Sequence, residues 1–214
     1  MHFRSVRAAG YIANTYSFAS CITGIIIGVI IRYTGRYKIW ALIGIPIYIL
    51  GTGLMIHFRG PQYNQGYLIM CQLFVAIGGG IISFLTMLAV MSVVTHQDTA
   101  AVLAILGTVT SIGGAVGLAI SGAIWTNTLP EQLTQNLPAN LTSQAETIFG
   151  SLTDQLSYPR GSEARDAIIA SYGYTQKILC SVATGIACIA LILMWGLKDV
   201  RLKEVPQPVK GLVV

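Results

Sequence analysis

Arg32-Tyr33-Thr34-Gly35-Arg36-Tyr37-Lys38 is the stretch that orients this chain. An apolar run ending Gly28-Val29-Ile30-Ile31 precedes it, and another beginning Ile39-Trp40-Ala41-Leu42 follows. Two hydrocarbon-length runs joined by so short a polar elbow predict antiparallel helices that re-enter one membrane. Arg32, Arg36 and Lys38 are basic and no acid stands among them, which places the elbow on the cytoplasmic side.

Composition points to the same class. Of 214 residues, 54% are hydrophobic and 10% charged, with a mean hydropathy of +0.68. A soluble domain carries about 25% charged residues. The acids Asp98, Glu131, Glu146, Asp154, Glu163, Asp166, Asp199 and Glu204 all lie outside the apolar runs or at their ends. The predicted fold class is an all-α membrane protein of about five transmembrane helices, over 11–31, 39–58, 67–94, 100–125 and 178–197. Residues 1–10 form an outer tail, 126–177 a long extracellular loop, and 198–214 a basic cytoplasmic tail. Arg4 and Arg7 precede the first run, but that run ends in Arg32-Tyr33 without a small-residue cleavage site, so it reads as a span.

The net charge of +5 comes from basic residues at the ends of apolar runs, where topology determinants sit. A nucleic-acid partner is therefore excluded, and the lipid bilayer is the expected partner. Cys21, Cys71, Cys180 and Cys188 all fall inside apolar runs with no Cys-x-x-Cys. They imply neither a disulfide framework nor a metal site, and no cofactor is expected.

The polar residues inside the spans are patterned. Asn14, Ser17, Cys21, Gly24 and Gly28 recur at spacings that put them on one helix face. That face is either a packing surface or the wall of a water-filled path, with Asn14 and Tyr16 near its outer mouth. Gln72, Ala76, Gly79, Ser83 and Thr86 share a face of the third span, and Gly78-Gly79-Gly80 is a candidate flex point. Pro46 predicts a bend in the second span. In the fourth, Gly107-x-x-x-Ser111 and Gly113-x-x-x-Gly117-x-x-x-Ser121 predict tight contact with a neighbouring helix. His96 and Asp98, between the third and fourth spans, are either proton-linked or structural; Asp98 suits a helix N-terminus. In the long loop, Asn140-Leu141-Thr142 is a glycosylation sequon. Residues 143–156, with Ile148, Leu152 and Leu156 spaced by four, predict an amphipathic helix along the outer interface.

Gly28, Gly35, Arg36 and Lys38 resemble the loop signature of the major facilitator superfamily, with Arg32 standing where that signature has an acid. More of the chain is similar to the fungal siderophore-iron transporter family. The stretches concerned are Gly10 to Ser17, Ile31 to Lys38, His96-Gln97-Asp98 with Ala100 to Ala104, Ser121 to Pro130, and Leu156 to Pro159 with Arg165 to Ile169. The resemblance implies fourteen spans, proton-coupled import of a ferric siderophore, and a long outward loop before the last helix. This chain looks like the last five of those spans. It also implies an acidic and an amide residue in the third span, where Thr86 and Met87 stand instead. No carboxylate then remains inside any span, which leaves His96 and Asp98 for any proton relay within this chain.

The expected function is therefore the C-terminal part of a proton-coupled ferric-siderophore importer, not competent for transport alone. The rest of the full-length transporter would be its partner. A non-transporting or dominant-negative truncated product is the alternative, and a drug-proton exporter of the same superfamily is the alternative transport activity. No triad or phosphate loop supports an enzyme. Candidate path residues are Asn14, Tyr16, Ser17, Gln72, Ser83 and Thr86, and Tyr158, Arg165, Tyr172 and Tyr174 are candidate substrate contacts in the outer loop. The expected location is the plasma membrane or an endosomal vesicle membrane.

Overall fold

The computed structural model describes residues 6–60, 64–92, 94, 97–159 and 161–196. Among the described residues there are five long helices: α1 (Val6–Thr34), α2 (Tyr37–Phe58), α3 (Gln65–Ser92), α4 (Thr99–Asn136) and a last helix, Glu163–Trp195. Each is long and apolar enough to cross a membrane. A 3-10 turn (Thr142–Gln144) and two short helices, α5 (Ala145–Gly150) and α6 (Leu152–Ser157), lie between α4 and the last helix, α7 (Glu163–Trp195).

The elbow reverses the chain in two residues. Gly35 takes φ 71° and its amide donates to the Ile31 carbonyl at 2.7 Å, closing α1 in the left-handed cap that glycine adopts without steric cost. Arg36 is extended and α2 starts at Tyr37. Helix α3 lies between α1 and α2, and α7 packs on α2. Ile27, Ile31, Tyr37, Ala41, Ile81 and Leu85 form the core at the elbow end of the bundle. At the other end, Met55, Cys71 and Cys180 form a second cluster. Two of the four cysteines thus act as small apolar core residues. The α2–α3 turn is closed by Phe58 stacked on Tyr67, ring centroids 4.9 Å apart.

The glycines of α2 and α3 set how closely those helices approach. A Cβ on Gly78 would stand 2.5 Å from the Tyr48 amide nitrogen and 2.7 Å from the Gly44 carbonyl oxygen. On Gly80 it would stand 2.7 Å from the Ser20 carbonyl of α1, and on Gly79 2.9 Å from the Tyr16 hydroxyl. The glycine triplet read as a candidate flex point lies at close helix contacts, Gly78 against α2 and Gly79 and Gly80 against α1. Helix α2 runs unbroken through Pro46.

The segment read as polar loop is largely helical. Helix α4 continues past Trp125, through Pro130, to Asn136, and α7 begins at Glu163. Proline removes one helical hydrogen bond, but Leu129 and Leu133 on the same turns are fully buried, and that burial holds the helix together. At α7, the Ser162 hydroxyl accepts from the Arg165 amide at 3.2 Å, and Glu163 and Asp166 occupy the first turn. Both features favour a helix start. The 38 residues of α4 span about 57 Å at 1.5 Å per residue, far beyond the roughly 30 Å of hydrocarbon.

The extensions fold into a cap. Leu129, Leu133 and Leu137 of α4, Ala145 and Ile148 of α5, and Ala164 and Ile168 of α7 form its core. One amphipathic helix over 143–156 does not form. Gly150-Ser151 interrupts it, and the Ser151 hydroxyl accepts from the Asp154 amide to start α6 afresh. Ile148 is buried in the cap, while Leu152 and Leu156 are exposed.

Candidate functional site

The sequence-predicted residues fall at four places: the α1 and α3 faces, the elbow, the connection between α3 and α4, and the cap. On α1, contact with α3 runs through Tyr16, Ser20, Thr23 and Ile27 rather than through the small-residue face. Asn14, Ser17 and Cys21 are exposed, and a Cβ on Gly24 would meet nothing within 4 Å. Gly28 of that face meets the ring of Phe84, whose Cζ lies 3.0 Å from the Cβ position. The polar face of α1 is thus not a packing face within this chain. Tyr16 stands between the two roles, 40% exposed with its hydroxyl over Gly79.

The α3 residues do not act together. Gln72 is half-buried and its side-chain carbonyl oxygen has no hydrogen-bond partner among the described residues. Ala76 and Gly79 are buried in helix contacts, whereas Ser83 and Thr86 are exposed. Thr86 donates its hydroxyl to the Ile82 carbonyl at 2.8 Å. Among the described residues no group of three His, Cys, Asp or Glu side chains could hold a metal ion.

At the elbow, Arg32 and Arg36 are exposed, and Lys38 Nζ donates to the Trp195 carbonyl at 3.2 Å. A cation at the C-terminal end of α7 meets its unpaired carbonyls and its dipole, so Lys38 ties α2 to α7. Asp98 precedes α4 with ψ −7°, and its carboxylate makes no cap bond to the helix amides. That side chain caps from extended backbone, which this residue does not adopt. His96 lies outside the described residues.

The outer-loop candidates part company. Arg165 is 5% exposed and its Nη1 donates to the Gln155 carbonyl. Tyr172 donates its hydroxyl to Gln155 Oε1 at 2.9 Å and meets Trp125 edge-on at 5.4 Å. Tyr158 packs half-buried against the cap core. Tyr174 alone of the four is exposed. Arg165 and Tyr172 are therefore part of what holds the cap together. Its hub, Gln155, carries no sequence signal: it is 1% exposed and its Nε2 donates to the Ile148 carbonyl at 2.6 Å. Ser171, also fully buried, joins α7 to α4 by donating to the Gln132 carbonyl at 3.0 Å and accepting from Asn136 Nδ2 at 3.1 Å.

Helix α4 is the structural opposite of α3. From Thr99 to Thr128 none of its residues is buried, and a Cβ on Gly107, Gly113, Gly114, Gly117 or Gly122 would meet nothing within 4 Å. Its contacts with α7 in the cap, through Leu129, Leu133 and Gln132, anchor it at the cap end.

Comparison with known proteins gives these faces a context. Residues 2–128 match the sequence profile of the Major Facilitator Superfamily. The chain is 55% identical to Siderophore iron transporter 1 of Schizosaccharomyces pombe, over 96% of this chain and 34% of that protein. It is 45% identical to Siderophore iron transporter mirB of Emericella nidulans, over 97% of this chain and 34% of that protein. With the MFS siderochrome iron transporter 1 of Ajellomyces capsulatus, identity is 44% over 98% and 36%. The chain thus spans about a third of the length of the curated relatives it matches. No solved structure matches it.

Proposed function

Since this chain belongs to the Major Facilitator Superfamily, we propose that it supplies the last five membrane helices of a proton-coupled ferric-siderophore importer and does not transport alone. The observation that carries this reading is the open small-residue face of α4, together with the polar face of α1. Transport by alternating access needs two helical bodies rocking around a central site, and these faces are where further helices would pack or enclose a path. Asn14, Tyr16, Ser17, Gln72, Ser83 and Thr86 are the proposed path residues. In this reading the elbow of Gly28, Arg32, Gly35, Arg36 and Lys38 is cytoplasmic and the cap extracellular, at the plasma membrane. Tyr174, the exposed one of the four outer-loop candidates, is the proposed siderophore contact, with Tyr158, Arg165 and Tyr172 in the cap as the further candidates. Any proton relay within this chain rests on His96 and Asp98.

The test is a chimera in which this chain replaces the matching third of the S. pombe relative. It is compared with the chain alone in cells that lack siderophore uptake. The chimera should import radiolabelled ferric siderophore and the chain alone should not. Uptake by the chain alone overturns the incompleteness, and a membrane-inserted chimera without uptake overturns the substrate.

The open α4 face also favours a second reading, a non-transporting product that docks on the full-length transporter. Co-expression of the chain would then lower uptake by the intact relative several-fold, and unchanged uptake removes that reading.

A further inference from the structure

We propose that Asn140 carries an N-linked glycan, attached where the chain turns from α4 into the cap. The inference rests on the extracellular placement of the cap in the reading above. Asn140-Leu141-Thr142 is the one Asn-x-Ser/Thr sequon in the sequence, and its middle residue is not proline. The transfer needs a free carboxamide nitrogen and a hydroxyl two residues on. Attack by Asn140 Nδ2 on the first sugar carbon of a lipid-pyrophosphate-linked oligosaccharide forms the N–C bond. The sugar–phosphate C–O bond breaks, the lipid pyrophosphate leaves, and the amide proton passes to a base of the transferase.

Two observations support the site, and a third sets when the transfer takes place. Asn140 is exposed, while Leu141 beside it packs half-buried against the cap core. The turn is fixed by the Leu141 amide donating to the Pro138 carbonyl at 2.8 Å and by the Gln144 amide donating to the Leu141 carbonyl at 2.9 Å. A glycan on Asn140 therefore displaces none of the cap core. Second, α4 runs on from Trp125 to Asn136, which lifts the turn about 16 Å at 1.5 Å per residue. Trp125 ends the apolar run, at the level where aromatic residues mark the membrane–water interface. The acceptor thus stands clear of the headgroups. Third, Thr142 Oγ1 donates to the Pro138 carbonyl at 3.2 Å in the folded cap. The hydroxyl is at the transferase's disposal before that bond forms, so transfer is to the nascent chain.

Translation of the whole chain with endoplasmic-reticulum microsomes tests this. The wild-type product should show a single glycosidase-sensitive mobility step, lost completely in Asn140→Gln and in Thr142→Ala. A second variant separates the causes of failure. Ser151→Asn, added to Asn140→Gln, creates a sequon with Leu152 and Thr153 elsewhere in the cap, and asparagine keeps the cap role of Ser151 at α6. If the wild type lacks the step but this variant has it, Asn140 is not an acceptor and the outward placement stands. If neither has it, both the site and the outward placement fall.

Discussion

In α3, a Cβ on Gly78 would meet the Tyr48 amide at 2.5 Å, and one on Gly80 would meet the Ser20 carbonyl at 2.7 Å. In α4, a Cβ on Gly113, Gly114 or Gly117 would meet nothing within 4 Å. Both helices carry the same kind of small-residue pattern, and both are apolar enough to span a bilayer. Small residues let helix backbones approach closely, but the pattern does not say whether the partner is within the chain. For α3 the partners are α1 and α2. For α4, away from its anchored cap end, no partner among the described residues buries it, and the chain covers only about a third of its relatives' length.

Substitution at the two sites should separate them sharply. The largest effect is expected at Gly78→Leu, where even the first added carbon collides with the backbone of α2. Overpacking costs about 3 kcal/mol here, the upper end of what such insertions typically cost. A steep drop in melting temperature in detergent checks it; a melt like wild type would mean that α2 and α3 do not meet as described.

The cap comes next. Arg165→Ala removes a buried charged donor and leaves the Gln155 carbonyl without it, a loss of about 2 kcal/mol. The expected sign is faster protease cleavage between residues 137 and 163 with the membrane helices intact. Cleavage at the wild-type rate would instead return Arg165 to the exposed surface.

Gly117→Ala in the chain alone should cost nothing and gain up to about 1 kcal/mol of helix propensity. The bulkier Gly117→Leu should leave the chain's melting unchanged yet abolish uptake by the chimera. Full uptake in that variant would show the α4 face to be lipid-facing in the whole transporter as well. Smallest is Lys38→Met, which removes the tie to the Trp195 carbonyl. A cation near a helix C-terminus is worth about 0.3–1 kcal/mol, so a melting shift of a few degrees at most is expected, shrinking with added salt.

The five spans and the elbow were legible in the sequence because apolar run length and Gly35 between basic residues are local signals. Helix ends were not. Pro130 and the polar residues after Trp125 read as loop, and only the distant partners Ile148, Ala164 and Ile168 reveal why the helix continues. The same holds for Arg165: a basic residue in a polar loop looks exposed, yet the fold buries it with its Nη1 donating to the Gln155 carbonyl. On α1 the spacing of Asn14, Ser17, Cys21 and Gly24 puts them on one helix face. Spacing alone is silent on whether that face or the one through Tyr16, Ser20 and Thr23 meets α3.

The most direct measurement is the mobility of a nitroxide spin label at position 117, introduced by Gly117→Cys after the native cysteines are replaced by alanine. It is recorded in the chain alone and in the S. pombe chimera, both in lipid vesicles. A mobile, oxygen-accessible label in the chain alone that becomes immobilised and shielded in the chimera is the expected result. The same mobile, lipid-exposed spectrum in both proteins would contradict the claim that α4 awaits helices from outside this chain.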